Sequence, residues 1–160
     1  MLKLSKLSDY SAVVMAQIAR QPDQPLSAPE LAEKVNLPRP TVSKTLKLLH
    51  KANLVISRRG VQGGYLLARA PADIRVSDII AAIEGPVAVT ACSQDHNDCD
   101  LAAVCGVADN WQRVSEAIRF LLDSVTLEQL AQREPLYIRP PRAVSPTTAK
   151  PLAEILATDA

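Results

Sequence analysis

Residues 27–68 read SAPELAEKVNLPRPTVSKTLKLLHKANLVISRRGVQGGYLLA, and the fold follows from how that stretch divides. Ser27-Ala28-Pro29-Glu30 has the form of a capping box, with Ser at the cap and Glu three residues on, each satisfying an orphan N–H near the other. Leu31, Ala32 and Val35 give the short helix that follows a buried side, and Asn36-Leu37-Pro38 breaks it. Pro40 fits the first turn of a second helix, where its missing N–H costs nothing. That helix is expected to run to about Ala52, with Val42, Leu46 and Leu49, and Leu48 beside them, on one face. Thr41, Ser43, Lys44, Lys47 and Lys51 fall largely elsewhere. Two short helices joined by a tight break, the second with a basic polar face, form a helix-turn-helix. Residues 54–57 then read as a short strand, Arg58-Arg59-Gly60-Val61-Gln62-Gly63-Gly64 as a turn, and residues 65–68, beginning at Tyr65, as the return strand. Helix, helix, hairpin is a winged helix. Glycines let a wing backbone approach a phosphate or groove closely, and arginines enter a minor groove. An ordinary exposed hairpin with a Gly-rich turn is the alternative, and the polar helix just before it favours DNA.

Working outward, residues 3–20 carry Leu4, Leu7, Val14 and Ile18 at helical spacing, with Ser8 or Ser5 as cap and an end near Ala19. Ile74 to Ile83 reads as another short helix with Val76, Ile79, Ile80 and Ile83 inward, stopped by Gly85-Pro86. From Val107 the pattern lengthens: Val107, Trp111, Val114, Ile118, Leu121 and Val125 alternate steps of four and three, the seam of a coiled coil. A helix packed on its own domain is the alternative. The upstream elements are expected to close a small core unaided, which favours a homodimer seam, and two-fold symmetry suits a palindromic operator. Beyond Gln132, Pro135, Pro140, Pro141, Pro146 and Pro151 punctuate a stretch expected to lack fixed structure, with at most one turn at 152–156. The expected division is a winged-helix DNA-binding domain at 1–84, a cysteine loop at 85–106, a dimerisation helix region at 107–133 and a Pro-rich tail at 134–160. The expected class is mainly α: a winged helix-turn-helix with a small β-hairpin wing and a long dimerisation helix.

Composition limits the function. With 160 residues, 48% apolar and 22% charged, the chain is long enough for one domain with a real core. No run of about 18 apolar residues exists, so no membrane span is expected. The opening MLKLSKLSDYS lacks an apolar core followed by a cleavage site, which argues against a secretory signal and for a cytoplasmic protein. Aromatics at 3% argue against a base-stacking platform for single strands. The net charge of +1 hides an asymmetry: residues 1–75 balance to +7 and residues 76–160 to −6. A basic half beside an acidic half suits a protein of which one part meets a polyanion, although a solvated basic surface has the same balance.

Cys92, Cys99 and Cys105 fall within fourteen residues, spaced Cys-x6-Cys-x5-Cys, among Asp95, His96, Asn97, Asp98 and Asp100. Thiolates are soft donors that hold zinc or iron–sulfur clusters. Close Cys-x2-Cys pairs of the zinc-knuckle kind are missing, and longer gaps suit a loop around a bulkier cluster. A fourth ligand is needed, and His96, Asp109 and Asp9 are candidates, the last from the first helix and even from a partner chain. Three unligated thiols, or one disulfide and a spare, form the alternative. For Asp9 the alternative is a plain helix cap or a surface charge.

Leu54-Val55, Arg59-Gly60, Gly63-Gly64-Tyr65-Leu66-Leu67-Ala68, Ile79-Ile80-Ala81-Ala82-Ile83-Glu84 and the three-cysteine loop together resemble the bacterial IscR/NsrR family. These are dimeric winged-helix transcription regulators that sense iron–sulfur cluster status or nitric oxide. The resemblance spans residues 1 to about 132, and the opening residues 1–10 look closest to the branch that regulates SUF cluster-assembly genes. It implies that Cys92, Cys99 and Cys105 are cluster ligands. Two departures stand out: the first gap is one residue longer than in IscR, and the position of IscR's ligating His, three residues after the last Cys, is Ala108 here. NsrR-like members take an Asp from the first helix, and Asp9 matches that position. The resemblance therefore nominates Asp9 as fourth ligand and favours [4Fe–4S] over [2Fe–2S]. It also implies that Pro40, Thr41, Ser43, Lys44 and Lys47 read a double-stranded DNA operator while Arg58, Arg59, Gly60, Gln62, Gly63, Gly64 and Tyr65 serve the wing.

Other functions remain in view. The same scaffold suits a nitric-oxide- or redox-sensing repressor, or a zinc- or thiol-based regulator without a cluster. A winged helix used as a protein adaptor would show no salt-dependent duplex binding. A cysteine enzyme would need His50 or His96 as base, and neither has a recognisable triad partner, so no enzyme is expected.

Overall fold

The structure is a computed structural model, and it describes residues 3–60, 63–93, 105–132 and 136. The tail expected at 134–160 lies, apart from Leu136, outside the described residues. Helix α1 spans Lys6–Ala19, α2 Ala28–Val35, α3 Arg39–Lys51, α4 Val76–Glu84, α5 Ala108–Asp123 and α6 Leu127–Ala131. Strands β1 (Val55–Arg58) and β2 (Gly64–Leu67) form an antiparallel hairpin with Val55 opposite Leu67 and Arg58 opposite Gly64. The architecture is mainly α, a winged helix-turn-helix with a β-hairpin wing. Among the described residues no helix is long and apolar enough to cross a membrane.

Local chemistry explains the starts and stops. Ser5 is the N-cap of α1, its hydroxyl accepting the Ser8 N–H at 3.1 Å. Ser27 and Glu30 form the capping box of α2: the Ser27 N–H donates to Glu30 Oε2 at 2.8 Å, and the Glu30 N–H to Ser27 Oγ at 3.4 Å. Asn36 ends α2 in the left-handed region at φ 52°, a conformation Asn tolerates. Pro40 lies in the first turn of α3 as expected.

The core gathers one face of each of α1 to α4. Val14, Met15 and Ile18 of α1 meet Leu31 of α2, Val42, Leu46 and Leu49 of α3, Leu54 and Val55 beside the wing, and Ile79 of α4. Each such side chain contributes about 2 kcal/mol through the apolar surface it removes from water. Thr45 of α3 is also fully buried.

Three features depart from the sequence reading. The hairpin gains a third member: Leu26 pairs with Tyr65, N–H to carbonyl in both directions at 3.1 and 2.8 Å. The strand pair also sits one residue along, so Arg58 and Gly64, expected in the turn, belong to β1 and β2. Finally, the seam expected from Val107 to Val125 ends early. Val125 is buried in its own chain, and its carbonyl accepts the Val76 N–H at 3.0 Å. The chain turns there, Thr126 and Gln129 form a second capping box, and Leu127 of α6 enters the core with no exposed surface. The core therefore uses a residue from beyond α5 and does not close on the upstream elements alone.

Candidate nucleic-acid interface and cysteine segment

Helix α3 presents two unlike sides. Val42, Thr45, Leu46 and Leu49 are buried, while Pro40, Lys44, Lys47 and Lys51 are exposed at spacings of three and four. Thr41 and Ser43 flank that outer side and are half-buried. No acidic residue lies in α3, so the exposed side is uniformly positive, as a surface that meets phosphates needs to be. Arg39 at its start is paired with Glu33 of α2 at 3.4 Å, both side chains well exposed. Such a pair contributes little to stability.

The wing carries Arg58 and Arg59 exposed at its tip, with Gly60 beside them; Gln62 lies outside the described residues. The glycines of the return strand have internal reasons. A Cβ on Gly64 would lie 2.6 Å from the Leu26 carbonyl carbon, and one on Gly63 would lie 2.5 Å from the Arg58 oxygen. Both positions are therefore required by the protein's own backbone, which alone accounts for two glycines read as places for DNA to approach. Tyr65 is likewise held by Leu26 and packs half-buried against the core.

The cysteine segment joins α4 to α5. Its first part is ordered by hydrogen bonds: the Val89 N–H donates to Ser115 Oγ of α5 at 3.0 Å, and the Thr90 and Ser93 hydroxyls bond at 2.8 Å. Cys92 lies in a single 3-10 turn at Ala91–Ser93, and Cys105 is a half-buried free thiol just before α5. Cys99 and His96 lie outside the described residues. Among the described residues no group of three or more His, Cys, Asp or Glu side chains converges on one point.

Asp9 stands in the first turn of α1, exposed, with Ser5 rather than Asp9 as the cap. It opens into a groove of about 430 Å³ between α1, α2 and α6, also lined by Val13, Arg20, Lys34 and Leu130. The start of the cysteine segment borders a different cavity of about 450 Å³, formed by Leu4, Ile80, Glu84, Pro86, Ile118 and Leu122. The two regions touch through Glu84, whose carboxylate accepts the Ser5 N–H and the Ser8 hydroxyl. Those two bonds, the Ser8 hydroxyl first, hold the Glu84 carboxyl below the usual 4.5.

Helix α5 buries only Ser115. Val107 just before it and Trp111, Val114 and Leu121 along one side are exposed, Ile118 on that side is half-buried, and Phe120 is exposed at 64% on the opposite side. At its far end Ser77 of α4 donates to Asp123, which fixes α5 to the body.

A family model described as an iron-dependent transcriptional regulator, Rrf2, matches residues 4–133. This chain belongs to the Rrf2 family. Rrf2 relatives agree with the fold. The HTH-type transcriptional regulator CymR of Bacillus subtilis is 31% identical over 131 residues, 81% of this chain and 90% of that one. The solved structure of B. subtilis CymR, named there the global cysteine regulator, superposes with a TM-score of 0.65 at 33% identity, covering 82% of this chain and 97% of CymR. The structure of T. potens IscR superposes with a TM-score of 0.59 at 36% identity, covering 79% of this chain and 83% of that one. The chain is thus an Rrf2-type DNA-binding transcription regulator with a winged-helix fold, and these relatives are regulators rather than enzymes.

Proposed function

We propose that this chain is a homodimeric regulator whose operator binding follows the state of an iron–sulfur cluster, and that it controls SUF cluster-assembly genes. The carrying observation is the segment between α4 and α5, where three cysteines fall within fourteen residues and a free Cys105 opens at the foot of α5. The donor set fits the group: three thiolates suit iron, and one carboxylate supplies the fourth position. Cys92, Cys99 and Cys105 would hold the cluster with Asp9. Asp9 opens into a groove apart from the start of the cysteine segment, which favours its serving the partner protomer's cluster. The uncovered apolar side of α5 supports the dimer, since a monomer rarely leaves so continuous an apolar stripe in water. A bound cluster would supply reactivity toward iron supply, oxidants or nitric oxide. The protein's part is to hold the thiolates and pass any change in the segment along α5, which is bonded to that segment through Ser115.

Anaerobic isolation with iron and sulfide assay and a visible spectrum tests this reading. Brown protein with matched iron and sulfide supports it, four of each per protomer supports [4Fe–4S], and loss of yield in Asp9→Ala supports the fourth ligand. Protein that stays colourless after reconstitution contradicts it. That outcome leaves the second reading, a thiol-based regulator, which the likeness to the regulator of cysteine CymR favours. Tight binding of the cluster form to the promoter of SUF genes over unrelated duplex tests the target.

A further inference from the structure

Helix α4 ends on the wrong charge. Glu84 is its last residue, where the carbonyl end of the helix disfavours a carboxylate. The compensation comes from 79 positions away in sequence. Glu84 Oε1 accepts the Ser5 backbone N–H at 2.9 Å and the Ser8 hydroxyl. Ser5 is the N-cap of α1, so the carboxylate sits at the positive end of a second helix. Ser5 carries the contact into the first turn of α1, because its carbonyl accepts the Asp9 N–H at 3.2 Å. One side chain thus fastens the turn that bears Asp9 to the end of α4. Immediately after it, Gly85 takes φ +87° and Pro86 follows, so the direction in which the chain leaves toward Cys92 is set at the same point.

We propose that Glu84 is a positioning residue that holds, within each protomer, the Asp9 turn offered to the partner's cluster at a fixed offset from the root of the segment that holds its own, so that both ligand sets of the dimer keep one spacing. It touches no ligand itself. It acts by making α1 and the segment root move as one body, and α1 in turn packs on the DNA-reading helix α3. The inference rests on the cluster reading above and adds to it a residue that the motif does not include.

The test uses the full chain, reconstituted anaerobically, as wild type, Glu84→Ala, Glu84→Gln and Ser27→Ala. The last removes the α2 cap and controls for simple destabilisation. Iron release to a chelator and thermal melting of the apo form are both measured. Glu84→Ala is expected to release its cluster about tenfold faster, the usual scale for losing a group that orients a ligand. Glu84→Gln keeps an acceptor oxygen for both serine donors and is expected to fall between Glu84→Ala and wild type. Ser27→Ala is expected to release at the wild-type rate. Wild-type release from both Glu84 variants overturns the inference while leaving the cluster reading intact. Release that follows melting temperature alone, with Ser27→Ala as fast as Glu84→Ala, reduces Glu84 to a structural role and also overturns it. A wild type that takes up no iron fails at the earlier step and removes both. Should Glu84→Ala not fold, the comparison of Glu84→Gln with wild type decides.

Discussion

Helices α3 and α5 are both amphipathic, yet α3 buries Val42, Thr45, Leu46 and Leu49 while α5 buries Ser115 alone. In α3 the apolar side faces a core and the charged side faces outward. In α5 an apolar side faces outward too, through Trp111, Val114 and Leu121. Periodicity reports that a helix has an apolar side. What covers that side is a separate question, answered for α3 by its own chain and, in the proposed dimer, for α5 by a second copy. The difference divides the molecule into a reading head covered within the chain, with Leu127 of α6 closing its core, and a long helix whose apolar side is not covered.

Substitutions can break this contrast in different ways. The largest effect is expected from Trp111→Glu, which puts a charge in the uncovered stripe. It should convert the dimer to monomer in analytical ultracentrifugation and weaken operator binding by a factor of about 100 or more, while the apo melting profile at low concentration stays near wild type. A variant that remains dimeric would place the second copy elsewhere. Leu46→Ala should do the opposite, costing about 2–5 kcal/mol of folding free energy independently of protein concentration. Denaturant unfolding at two concentrations separates the two behaviours. Arg59→Ala, at the exposed wing tip, should weaken operator binding and lower the log–log salt slope by about 1, leaving stability unchanged. An unaltered slope and affinity would remove Arg59 from the interface.

The smallest effect concerns pH. The Glu84 carboxyl is held below its ordinary 4.5 by Ser8 and Ser5, so its folded value lies under its unfolded one. Its contribution is therefore full above the unfolded value and fades as pH falls through the lowered folded value. Glu84→Gln should flatten that acid limb of the stability curve and leave the neutral region without further pH dependence. Glu30, lowered by the Ser27 hydroxyl and N–H, contributes with the same sign, so some acid dependence should persist.

The reading head was legible because its signals are local. The Ser27–Glu30 box, Pro40 and the apolar spacing of α3 each act within a few residues. What escaped is non-local or brief. The Leu26–Tyr65 pairing is one residue long and leaves no periodic trace, so the sequence does not reveal that Leu26 occupies the space a Cβ on Gly64 would need. Helix α6 is five residues, and Val125 continues the step pattern of α5, which hid the break at Ser124. The box from Thr126 to Gln129 was the available signal. The Glu84 contact spans 79 positions and has no motif of its own. For the candidate site, sequence supplied the cysteines and Asp9. The structure adds where Cys92, Cys105 and Asp9 stand and what ties Asp9 to the segment.

The most direct test of the account is operator affinity measured on one anaerobic preparation, first with its cluster and then after the cluster has been removed, at one salt concentration. Coupling between segment and reading head predicts that the two dissociation constants differ by a factor of about 5 to 150. Equal constants for the two forms would contradict it.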